Sequence, residues 1–104
     1  MKQVKANEKA KTERRMRNAF EEKHDPNLRS DYAALQKCRS FWNCYDFLFN
    51  ERRGADFESL FMKRENFHKS AYFKAETLHI CVKTYHRHIA QYVKSFEYFL
   101  KETE

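Results

Sequence analysis

Seven apolar residues, Leu78, Val82, Tyr85, Ile89, Tyr92, Phe96 and Phe99, follow one another at alternating steps of four and three. That spacing places them on one face of an α-helix as a heptad seam, whereas a strand would send such residues to opposite faces. A seam of this length commits the second half of the chain to a helix that packs against other helices. The rest of the sequence agrees, because the chain holds one glycine, Gly54, and one proline, Pro26. With so few breakers there is little material for hairpins or phosphate-cradling loops. The expected class is all-α, a small bundle of three to four helices with a long C-terminal helix carrying the seam.

The chain's 104 residues match one domain, with a basic N-terminal helix within 1–24 and an aromatic-packed helical core over 30–104. Ten Phe and six Tyr must supply most of the core, since each ring buries far more area than a small aliphatic side chain. A first helix is expected over 4–24, with Met16, Ala19 and Phe20 as its docking face and His24–Asn27 as its stop. Ser30 is the expected N-cap of a second helix over 31–53, whose stripe is Leu35, Cys38, Trp42, Tyr45 and Phe49. Gly54 then reads as the residue ending that helix. Helical pattern continues over 56–102, about 70 Å if unbroken, roughly twice the second helix. Either a second chain covers the surplus or the helix breaks. The polar cluster Asn66, His68, Lys69, Ser70 marks the favoured break, with Ser70 capping the seam helix.

Net charge is +6, and eight Lys/Arg against four Glu place +4 of it in residues 1–24. Lys9, Lys11, Arg14, Arg15 and Arg17 form the densest group. Lys and Arg along one helix can each neutralise a phosphate and release counterions. Arg52 and Arg53, with Lys63 and Arg64 further along, suggest a second basic patch beside Phe67, Tyr72 and Phe73, rings of the kind that stack on bases. The favoured partner is therefore nucleic acid, DNA or RNA, bound by a small regulatory or accessory protein. The alternative is a protein-binding adaptor or inhibitor, in which Leu78 to Phe99 form an interface with a partner protein or a homodimer.

Catalysis is not expected, since no nucleophile elbow, Gly-rich loop or distinctive carboxylate pair occurs. No metal or other cofactor is expected either. His79, Cys81, His86 and His88 lack ligand spacing, and Glu65–His68 is a single unmatched Glu-x-x-His. Cys38, Cys44 and Cys81 form no disulfide framework. No apolar run can span a bilayer, and the start of the chain lacks the apolar segment of a secretory signal. A reducing cytoplasmic setting without membrane contact is the expectation.

Overall fold

The computed structural model describes residues 2–46 and 53–103, with side chains from Lys9 onward. It is all-helical, with no strand among the described residues. Among the described residues five α-helices follow in order: α1 (Lys2–Glu21), α2 (Arg29–Tyr45), α3 (Arg53–Met62), α4 (Ala71–Thr77) and α5 (Val82–Thr103). Short 3-10 turns at Pro26–Leu28 and Arg64–Asn66 link α1 to α2 and follow α3.

Met16 and Ala19 bury the expected face of α1, with Phe20 partly buried beside them. The helix stops before Pro26, but Ser30 does not cap the next one. Asp25 accepts a hydrogen bond from the Asn27 N–H at 2.9 Å and Pro26 opens the 3-10 turn. That turn runs straight into α2, leaving Ser30 inside its first turn. Proline's fixed φ suits the first helical position, so start and stop signals fall together on Asp25-Pro26. Asp31, buried, accepts two bonds from Arg15, at 3.1 and 2.7 Å, and so clasps α1 to α2.

The second helix is shorter than its expected span of 31–53. It ends at Tyr45, with Asp46 extended. Arg53 and Gly54 begin α3 instead of ending α2, and Gly54 is buried without a positive φ. Leu48, Phe49 and Arg52 lie outside the described residues.

The helical pattern over 56–102 breaks twice. At the expected site, Ser70 accepts a bond from the Phe73 N–H at 3.1 Å, yet it caps only the short α4. The second break was not expected. Ile80 N–H bonds to Ala75 C=O and His79 N–H to Glu76 C=O, both at 3.0 Å, with His79 at φ 59°. This is a Schellman stop with histidine where glycine usually stands. Cys81 then starts α5 much as a serine cap would, its sulfur accepting from the Thr84 N–H at 3.4 Å and meeting the Thr84 hydroxyl at 3.0 Å. Leu78 therefore belongs to the end of α4 and not to the seam helix.

Of the seam residues on α5, Tyr85, Tyr92 and Phe96 are buried, while Val82, Ile89 and Phe99 are partly buried. Val93 and Leu100 join the core. A straight helix lags a strict heptad by about 20° per repeat, which carries the buried face from Phe99 to its neighbour Leu100. At about 33 Å for 22 residues, α5 matches the 35 Å longest dimension of the molecule. The length mismatch that motivated a second chain is gone.

The largest packing interface joins α2 to α5. Cys38 Sγ donates to the Tyr92 C=O at 3.6 Å, and Trp42 Nε1 donates to Ser95 Oγ at 3.0 Å. Glu58 of α3 is buried behind them. Arg39 Nε reaches its two oxygens at 3.0 and 2.8 Å, and the Tyr92 hydroxyl donates to it at 3.1 Å. A Glu58→Ala variant strands both donors. It is expected to lose about 3 kcal/mol, the low end for a broken buried pair because Arg39 keeps contact with water. Urea unfolding checks this, and a loss under about 1 kcal/mol would show that the network adds little.

Candidate nucleic-acid interface

The five basic residues singled out on α1 do different things. Lys9, Lys11 and Arg14 are exposed. Arg15 is committed to Asp31. Arg17 lies between two rings, its guanidinium carbon 5.0 Å from the Phe61 centroid and 4.5 Å from that of Phe67. Its Nε donates to the Phe61 C=O at 3.2 Å, and Glu13 stands 3.8 Å away one turn earlier. The charge of Arg17 is thus held in a fixed place.

Two cavities open against it. The first, about 410 Å³, is lined by Glu13, Arg14, Arg17, Asn18, Arg64 and Phe67, with Ala10. Three arginines from segments nearly fifty residues apart in sequence meet here beside a ring that is 46% exposed. The turn carrying Arg64 is tied to α1 by its backbone N–H, which donates to Glu21 Oε1 at 3.3 Å. Tyr72 and Phe73 are exposed further along this segment, and the Lys69 ammonium sits 5.2 Å over the Phe73 ring.

The second cavity, about 270 Å³, has Lys9, Glu13, Arg17, Lys74, Tyr85 and His86 among its lining residues. Burial lowers the Lys74 pKa, and the charges of Arg17 and Lys69 lower it further. Burial also pushes the Tyr85 phenol up to about 12, with Arg17 pulling it down and Glu13 pushing it up. The Tyr85 hydroxyl is buried and has no hydrogen-bond partner. Such a group costs about 1–3 kcal/mol.

The second basic patch expected from sequence is not assembled as a unit. Arg53 and Lys63 stand at opposite ends of the ten-residue α3, about 15 Å apart along its axis. Arg53 is half-buried, and Arg52 lies outside the described residues. Arg64 instead joins α1. The meeting of Arg64 and Lys74 with α1 carries no sequence signal, since it depends on tertiary packing.

The residues proposed as a protein interface are largely inside the chain's own core. Leu78, Tyr85, Tyr92 and Phe96, four of the seven residues that the alternative reading assigns to an interface, are buried there. Phe99 differs. With Phe41, Trp42, Lys94, Ser95 and Tyr98 it lines a groove of about 500 Å³ between α2 and α5. Phe41 packs at 4.8 Å from Tyr45 and 6.2 Å from Phe99.

Among the described residues no three His, Cys, Asp or Glu side chains converge as a metal site, and no helix is long and apolar enough to cross a membrane. Cys38, Cys44 and Cys81 are free thiols. No family model matches the chain, and no curated protein or solved structure was found similar to it.

Proposed function

We propose that this protein is a small non-catalytic accessory or regulatory protein that binds nucleic acid along the face made by α1 and the 64–74 segment. The observation that carries this reading is the meeting of Arg14, Arg17 and Arg64 around one groove beside exposed Phe67. Arginines supply phosphate contacts, and exposed rings give bases a stacking surface, a combination suited to a single strand. Lys9 and Lys11 extend the positive surface along α1, while Arg15 serves the fold.

Fluorescence anisotropy with single-stranded DNA, RNA and duplex at two salt concentrations tests it. The double variant Arg14→Glu, Arg64→Glu is expected to bind at least about 10-fold more weakly at low salt, with the salt slope reduced by about 1.5. Lys37→Glu, on exposed α2 surface away from the groove lining, should bind as the wild type does. Equal binding by the double variant and the wild type would overturn the assignment.

A second reading, a protein-binding adaptor, is favoured by the aromatic groove between α2 and α5, where Phe41 and Tyr98 expose their rings. Exposed aromatic clusters of this kind mark interaction surfaces. Under that reading Phe99, and not the whole heptad seam, belongs to the interface, and a homodimer has no special claim on it.

A further inference from the structure

The smaller cavity adds basic side chains that the nucleic-acid groove does not hold. Lys9, Arg17, Lys74 and His86 bring four basic side chains from α1, α4 and α5 to one space of about 270 Å³. Its one carboxylate among the described residues, Glu13, is engaged with Arg17 at 3.8 Å. Counting those two against each other, Lys9 and Lys74 leave two positive charges facing the cavity.

Tyr85 forms part of the wall, is 2% exposed, and has a hydroxyl with no acceptor. That hydroxyl feels Arg17 and Glu13, both of which line the same cavity. Buried hydroxyls are nearly always paired, so an orphan beside a cationic cavity calls for a ligand that accepts. Arg17 is already immobilised by its two rings and by the Phe61 carbonyl. The low Lys74 pKa follows from burial and from the neighbouring cations Arg17 and Lys69.

We propose that this cavity binds a phosphate group, as a phosphate monoester or the free ion, through Arg17, Lys74 and the Tyr85 hydroxyl. A monoester carries close to two negative charges at neutral pH and three strong acceptor oxygens. It therefore matches both the residual charge and the unpaired donor. Charge-assisted hydrogen bonds to such oxygens are the strong ones. Lys9 and His86, both exposed, also line the cavity. The proposal does not depend on nucleic-acid binding by the neighbouring groove, although Arg17 and Glu13 line both.

Isothermal titration with inorganic phosphate, adenosine 5′-monophosphate and uncharged adenosine tests it. Phosphate or the monophosphate should bind while adenosine does not. Tyr85→Phe and Lys74→Met should each weaken binding by about 10-fold. Tyr85→Phe should leave the melting point of the unliganded protein undiminished, because the lost hydroxyl has no bond in it. Absence of binding by both phosphate compounds at millimolar concentration would overturn the proposal, as would binding that neither variant weakens. The Arg14→Glu, Arg64→Glu variant should still bind phosphate, which separates this site from the groove. Preference for a 5′-phosphorylated strand over its 5′-hydroxyl form would identify the source as a strand end; equal affinity for the two strands, with the phosphate compounds still bound, would identify a free phosphate compound.

Discussion

A Phe57→Ala variant is expected to lose about 3–5 kcal/mol of stability, the usual range for removing a fully buried ring. Phe57 is fully buried and stands at the centre of the aromatic core. Its centroid lies 6.0 Å from Phe61, 5.9 Å from Tyr85 and 5.8 Å from Tyr92, the last two edge to face. The loss combines transfer of the ring to water with a cavity that three rigid neighbours cannot collapse to fill. Domains of this size hold only about 5–15 kcal/mol in total, so the variant should sit close to its unfolding threshold. Its melting point should fall by at least about 12 °C. Tyr98→Ala, which removes an exposed ring, should change stability by less than about 0.5 kcal/mol. Equal effects of the two substitutions in thermal and urea unfolding would mean that the ring cluster is not the core.

Alkaline unfolding is the second large effect expected. Burial, with Glu58 second, raises the Cys38 thiol above its ordinary 9.0. Burial, followed by Glu58 and Cys38, likewise raises the Tyr92 phenol above 10.0. The unfolded chain therefore gives up these protons first as pH rises. Stability is fully present below about pH 9, and from there it is lost as the unfolded state ionises. Each of the two groups contributes a slope of up to about 1.4 kcal/mol per pH unit. Tyr85 acts in the same sense above 10.0. Lys74 acts in the opposite sense, since its lowered pKa penalises the folded state most at low pH, but it is partly solvated and screened. The net expectation is a cooperative loss of structure between pH 9 and 11. A Cys38→Ala variant should begin that decline about one pH unit later, with Tyr92 then leading it. Unfolding free energies that stay level to pH 11 would show that the thiol and the phenol are not held neutral inside the fold.

Helix identity was legible in the residues because it rests on periodicity and on the scarcity of breakers. Met16, Ala19, Leu35, Cys38, Tyr85, Tyr92 and Phe96 all lie in the core where their spacing puts them. The boundaries were less legible, each for a local reason. The stop at His79 was hidden because histidine occupies the positive-φ position. The cap at Cys81 was hidden because a thiol does the work of a hydroxyl. The early end of α2 carried no glycine or proline at Tyr45 or Asp46 to announce it. As for the site, the basic character of α1 was visible, but the division of labour along it was not. Arg15 and Arg17 differ from Arg14 only in what the rest of the fold brings against them, namely Asp31 in one case and Phe61 and Phe67 in the other.

The order in which the helices pair has a kinetic side. α1 with α2 and α4 with α5 are neighbours along the chain, so each pair closes a short loop and can form on the timescale of local events. The α2–α5 interface is different, because Cys38 and Tyr92 are 54 residues apart and Trp42 and Ser95 are 53 apart. Closing so long a loop costs entropy before any of the buried rings repay it. The slow step of folding is therefore expected to be the encounter of the α1–α2 and α4–α5 pairs, with Phe57 of α3 filling the aromatic interior between them.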